Sequence, residues 1–158
     1  MPLLSADETR RRLDGVVHFD TQSEAADDGL DLTADAVFAF TGPGQLDFGG
    51  DEEQAAERRR LDPEKRDPDD DYGWWDLEEG TYPVRFNESI ELGAGEIALL
   101  GPHERLLRAG AHHPVCWLRA PRETSEALEA VLAVGSAGLH VKENARLSTL
   151  LLFDEGGA

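Results

Sequence analysis

The sequence holds 158 residues, with 33 acidic against 15 basic side chains and a formal charge of −18. That length suits one domain with one core, and the charge sets the surface against nucleic acid and anionic lipid, leaving small, neutral or locally guided partners. A lone Cys116 excludes an internal disulfide and a Cys-rich metal site. No apolar run approaches the ~20 residues that span a bilayer, and the first residues lack the charged and long apolar regions of a signal peptide, so no membrane partner and a cytoplasmic location are expected. The cations are almost all arginine, the lysines being Lys65 and Lys142. With carboxylates spread along the whole chain, this pattern predicts adaptation to concentrated salt, where a Debye length of roughly 3 Å at 1 M screens self-repulsion.

In chain order, Ser5 stands three residues before Glu8, a capping-box spacing that predicts a helix over 5–13, ended by Gly15. Val16 to Phe19 reads as a short strand, and Leu30 to Phe38 alternates apolar and polar residues with period two. Residues 42–71 turn to Gly, Pro, Asp, Glu and Arg with almost no aliphatic content, and are expected to form an acidic, mobile insertion in a domain that otherwise spans 1–158. Gly80 to Leu92 reads as a pair of strands with a turn at Asn87-Glu88. Strands are also expected at Glu96 to Leu100, Pro114 to Leu118, Leu139 to Val141 and Arg146 to Phe153, with a helical turn over Leu106 to Ala109. Glu126 to Val134 fits either helix or strand, and the surrounding strands favour strand. Short strands at even spacing predict a mainly β sandwich or barrel.

Generic motifs are sparse. The run Asp67-Pro68-Asp69-Asp70-Asp71 lacks the ligand spacing of a calcium loop. His112 and His113, with His103 or His140, could offer imidazoles to a metal, but adjacent histidines on a strand face opposite ways, and no metal site is expected. Cys116 lies in an apolar run and reads as a small core residue rather than a nucleophile.

Longer segments carry a collinear resemblance. Leu4 to Gly15 resembles the start of dCTP deaminases, and Gly29-Leu30-Asp31-Leu32-Thr33 resembles a strand shared by dCTP deaminases and dUTPases. Gly80 to Leu92, Leu106-Leu107-Arg108-Ala109-Gly110 and Asn144-Ala145-Arg146-Leu147-Ser148-Thr149-Leu150 are similar, in order, to that superfamily's edge segment, the end of its Arg-Ser-Ser helix motif and its last strand. The resemblance implies a dUTPase-like β-barrel or jelly roll of β-clip type with a short N-terminal helix. It also implies a homotrimer with sites between subunits, dUTP or dCTP as the ligand, and Mg²⁺ as a candidate cofactor. Carried over residue by residue, it makes Asp31, Arg108 and Arg146 binding positions, with Arg108 also a candidate catalytic residue, adds Arg105, Arg119 and Arg122 as a basic cluster near the pocket, and aligns Glu129 with a general-base glutamate.

The departures are specific. His103-Glu104-Arg105 stands where the superfamily has Arg-Ser-Ser, Arg119-Ala120-Pro121-Arg122 where it has Asp-x-Gly-Tyr or Asp-x-Gly-Phe, and Thr149 where it has Gln. Three readings follow: a protein that binds or hydrolyses a pyrimidine deoxynucleotide, a catalytically inactive paralogue serving as a binding or regulatory module, or a cupin-like metal-binding β-barrel.

Overall fold

The computed structural model describes residues 1–24, 28–120 and 126–156. Its elements in chain order are α1 (Ala6–Arg10), β1 (Leu13–Asp14), α2 (Phe19–Gln22), β2 (Leu30–Phe40), β3 (Arg58–Leu61), β4 (Trp74–Leu77), β5 (Gly80–Ile90), β6 (Glu96–Pro102), α3 (Glu104–Arg108), β7 (Ala111–His112), β8 (Cys116–Arg119), β9 (Ala127–Val134), β10 (Leu139–Lys142) and β11 (Arg146–Asp154). The fold is mainly β, as its patterning predicts. One large antiparallel sheet runs β7-β9-β5-β2-β11-β6-β8, with β1 on β5 and β3 on β2, and a small sheet pairs β10 with β4. Leu32, Phe86, Ile90, Leu100, Leu128, Leu132, Leu150 and Leu152 fill the core that the sheet encloses.

Local chemistry accounts for most of the boundaries. Ser5 and Glu8 form the reciprocal capping box, but α1 stops at Arg10, short of the expected 13, because Leu13 and Asp14 leave to pair with Ile90 and Ser89. The expected strand over Val16 to Phe19 is absent. Gly15 has φ +80, and a Cβ there would lie 2.2 Å from the Asn87 carbonyl oxygen, so only glycine permits the chain to cross β5 so closely. His18 then caps α2, accepting from the Thr21 amide. Glu126 to Val134 resolves as strand, with Leu128, Ala130, Leu132 and Val134 buried in alternation. Among residues 42–71, β3 pairs with Val37 to Phe40 although three of its four residues are arginines. Backbone pairing holds it with one aliphatic anchor, Leu61, packed against the core, and the Arg58 guanidinium lies 4.2 Å from the Phe38 ring centroid.

The predicted turn at Asn87-Glu88 is instead an irregularity inside a continuous β5, where the register with β9 shifts between Arg85 and Ser89. This bulge turns Glu88 into the core, where it is fully buried. Its carboxylate accepts from the Thr33 amide (2.9 Å), the Thr33 hydroxyl (2.7 Å) and Gln22 Nε2 (2.7 Å). A buried carboxylate requires such donors. Burial pushes Glu88 above the usual carboxylate range, and the Thr33 and Gln22 hydrogen bonds oppose that rise. Folding therefore favours its neutral form more than the unfolded chain does, so the stability it contributes is complete below about pH 4 and is lost as pH rises through the elevated folded value. Thr33→Val removes a donor that serves the ionised form, and should cost about 1.5–3 kcal/mol at neutral pH and less in acid. Urea midpoints at the two pH values in fixed KCl check this, and an equal loss at both would show that Glu88 stays neutral throughout.

Candidate functional site

Asp31 sits on β2 where Leu30 to Ala34 are covered on both faces, and it is only 1% exposed. Leaving such a charge unpaired would cost several kcal/mol, and β11 and a helix cap supply its partners. Thr149, its register partner on β11, donates its hydroxyl to Oδ1 at 2.9 Å. Arg146 Nη1 lies 3.4 Å from Oδ2, and His103 Nε2 lies 3.2 Å from the same oxygen.

His103 is itself buried and is the N-cap of α3. Its Nδ1 accepts from the Arg105 amide at 3.0 Å, so the proton of the neutral ring belongs on Nε2, which donates to Asp31. The ring thereby ties the Asp31 carboxylate to the start of the helix that carries Arg105 and Arg108. Both arginines are exposed, and Arg108 pairs with Glu104 one turn earlier. Arg146 is largely enclosed and also donates to the Thr21 carbonyl at 2.7 Å. Gln22 Nε2 donates to the Asp31 carbonyl at 2.8 Å as well as to Glu88.

These residues line a cleft of about 580 Å³ that gathers Asp31, Arg105, Arg108 and Arg146 with His103 and Thr149. The other sequence-derived site residues lie apart from it. Glu129 is held in a bidentate pair by Arg58, at 2.7 and 3.0 Å, and borders a different hollow beside Cys116 and Val131. Arg119 is exposed at the end of β8, paired with Ile97 in register. Arg122 lies outside the described residues.

The structural roles of His103, Thr149 and Gln22 were not readable from motifs, although His103 just ahead of a helical turn is a capping position. Of the adjacent histidines, His112 is exposed and His113 buried. Burial pushes the His113 pKa down, which keeps the ring neutral, with Nδ1 on the Pro114 carbonyl (2.8 Å) and Nε2 on the Ser148 hydroxyl (2.7 Å). Cys116 is half-buried, and its thiol faces the same Pro114 carbonyl rather than an imidazole.

The large antiparallel sheet with its short helices has a counterpart among solved structures. The structure of 2'-deoxycytidine 5'-triphosphate deaminase from Agrobacterium tumefaciens superposes with a TM-score of 0.65 at 17% identity, covering 95% of this chain. The chain spans 46% of that protein's length. No protein-family model matches. Among curated proteins, the probable deoxyuridine 5'-triphosphate nucleotidohydrolase of Methanosarcina acetivorans is 31% identical over 159 residues, covering 97% of this chain and 88% of the relative. Those of Methanosarcina mazei and Archaeoglobus fulgidus are 30% and 27% identical, over 97% and 96% of this chain and 88% and 87% of the relatives. The chain belongs to this deoxyuridine 5'-triphosphate nucleotidohydrolase family, within the dCTP deaminase/dUTPase superfamily.

His103→Ala should destabilise the protein by about 1–3 kcal/mol, through loss of the α3 cap and of one donor to Asp31. His103→Asn, which can cap but is too short to reach Asp31, should recover only the capping share of about 1 kcal/mol. Urea midpoints measure both, and ¹⁵N spectra of the imidazole should show the Nε2–H tautomer. An Nδ1–H ring would overturn the assignment.

Proposed function

We propose that this protein binds a pyrimidine deoxynucleoside triphosphate, dUTP or dCTP, in the Asp31 cleft and converts it with release of diphosphate or ammonia. The observation that carries the reading is the convergence of Arg105, Arg108 and Arg146 on one cleft in a chain of charge −18. Guanidinium groups match phosphate oxygens in geometry and charge. Arg105 and Arg108 reach outward to meet the phosphates, while Arg146, fixed by Asp31 and the Thr21 carbonyl, presents its remaining donors at a set angle. Both Asp31 oxygens are hydrogen-bonded and His103 Nδ1 is engaged, so neither group is free to take a proton from water. Glu24 and Glu104, on the same cleft, are the carboxylates open to solvent there.

Magnesium keeps several waters and is held mainly by substrate phosphates with one or two carboxylates, so it would arrive with the triphosphate, where Glu24 and Glu104 are the carboxylates at hand. Asp31 is saturated by donors, and among the described residues no group of three or more His, Cys, Asp or Glu side chains is placed to hold a metal ion. Membership of the dUTP nucleotidohydrolase family leaves the cupin-like reading without support.

We further propose a cytoplasmic homotrimer. Val115, Trp117 and Val131 are 52%, 60% and 44% exposed on or beside β8 and β9, apolar surface that a neighbouring copy would cover. No helix among the described residues is long and apolar enough to cross a membrane. The saturation of Asp31 and His103 favours one second reading, a member that binds nucleotide without turning it over.

The experiment is a turnover assay with dUTP and dCTP in about 1 M KCl, with and without Mg²⁺, following diphosphate and ammonia. Either product supports the enzyme, binding without product supports the binding module, and neither product nor binding rejects both. Arg105→Ala should weaken nucleotide binding about 10- to 100-fold by calorimetry, the worth of one or two charge-assisted hydrogen bonds. If the acidic composition is a salt adaptation, the melting temperature should rise steadily from about 0.1 M to about 2 M KCl, and a flat profile would count against it.

A further inference from the structure

We propose that the hairpin joining β2 to β3 is an assembly arm, whose tip residues Leu46 and Phe48 pack on the outer face of β8, β6 and β11 in a second copy of this chain. Such an arm presupposes the association of copies proposed above and is independent of the nucleotide reading of the cleft. Beyond the last β2–β3 pair, Phe40 with Arg58, the Thr41 amide donates to the Glu57 carbonyl at 2.8 Å. Further out, the Gln45 and Gln54 backbones exchange two hydrogen bonds of 2.9 Å each. No residue from Phe40 to Arg60 along this ribbon is buried. An isolated two-stranded ribbon is marginal in water, and this one has no buried side chain of its own to offset the entropy of ordering it.

The tip is nonetheless closely specified. Asp47 accepts from the Gly50 amide at 3.0 Å and the Glu52 amide at 3.2 Å, and Gln45 Nε2 donates to the Glu52 carbonyl at 2.8 Å. On either side of Asp47, Leu46 is 86% exposed and Phe48 is fully exposed. Two large apolar side chains held out on a fixed turn gain by leaving water, and the chain carries a surface that suits them. Register sets Trp117 of β8 beside Leu99 of β6 and Leu99 beside Leu151 of β11, with Arg119, Ile97 and Phe153 in the next row. The alternate residues Ala98, Leu100, Leu150 and Leu152 fill the core, so both rows lie on the outer face. An antiparallel sheet with one face in water alternates apolar with polar residues, yet these outward positions are apolar except for Arg119. Charge selects a second copy as the occupant. Asp51, Glu52 and Glu53 accompany the tip, and Arg119 on the landing face has no acidic partner among the described residues. In a chain of charge −18, copies approach best where acid meets arginine. The contact joins two different patches, the head-to-tail kind that closes a ring such as a trimer.

The test is light scattering over a range of protein concentration in about 1 M KCl, for the full chain, a tip variant (Leu46→Ser with Phe48→Ser) and a face variant (Trp117→Glu). All three altered residues are exposed, so both variants should keep the circular dichroism spectrum of the folded chain. Each variant should dissociate at a concentration at least about tenfold above that of the unaltered protein. Mixed together, the two variants should associate where each alone is monomeric, because each keeps the patch that the other lacks. Assembly as tight in either variant as in the unaltered chain overturns the arm contact while leaving the oligomer standing. Two dissociated variants that fail to associate on mixing overturn the pairing of tip with face. An unaltered chain that is monomeric throughout rejects the association of copies itself.

Discussion

Everything at the site depends on one buried charge. The Asp31 carboxylate, removed from water, is tolerable only while Thr149, Arg146 and His103 face it together. Those partners come from β11 and from the residue that starts α3, so solvating Asp31 internally fixes the strand and the helix relative to β2. Gln22 extends the constraint, joining the Asp31 backbone to the second buried carboxylate, Glu88, and so connecting the cleft to the β5 bulge. α2 is short, but its last residue occupies the junction of both networks.

The run His103-Glu104-Arg105 sets what the helix start can do. Histidine in its Nε2–H form satisfies Asp31 with a single donor while its other nitrogen caps α3, two tasks that need no hydroxyl. Arg105 then adds an exposed guanidinium one residue into the helix, and Glu104 engages Arg108. The outward chemistry of this helix is therefore that of arginine, which matches an anion in charge and geometry.

Much of the fold was legible because its signals are local. The Ser5-Glu8 capping box, the alternation of β2 and the buried alternation of β9 each lie within a few residues. The failures involve distant partners. Nothing near Val16 to Phe19 announces that His18 will cap a helix, and the Asn87-Glu88 turn signal is overridden because Glu88 finds donors at Thr33, 55 residues away. Part of the site was legible only through collinear resemblance, which brought Asp31, Arg108 and Arg146 into one list. The same resemblance singled out Glu129, whose partner Arg58 lies 71 residues away in a segment read from composition as an insertion. Composition underrates Arg58 to Arg60, since main-chain pairing and stacking on Phe38 do not require aliphatic side chains.

Burial also decides how the site responds to salt. Exposed pairs such as Arg108 with Glu104 lose most of their attraction once the Debye length falls to roughly 3 Å at 1 M, whereas the enclosed Asp31 network is screened far less. Long-range steering of any charged ligand weakens in the same way, so recognition at such ionic strength has to come from direct hydrogen bonds and from apolar enclosure, which salt does not diminish. Gln22, Arg105 and Arg146 line both the cleft and the hollow walled by Leu106, Val141 and Leu147, so the buried Asp31 carboxylate, by holding Arg146, fixes a wall that the two spaces share.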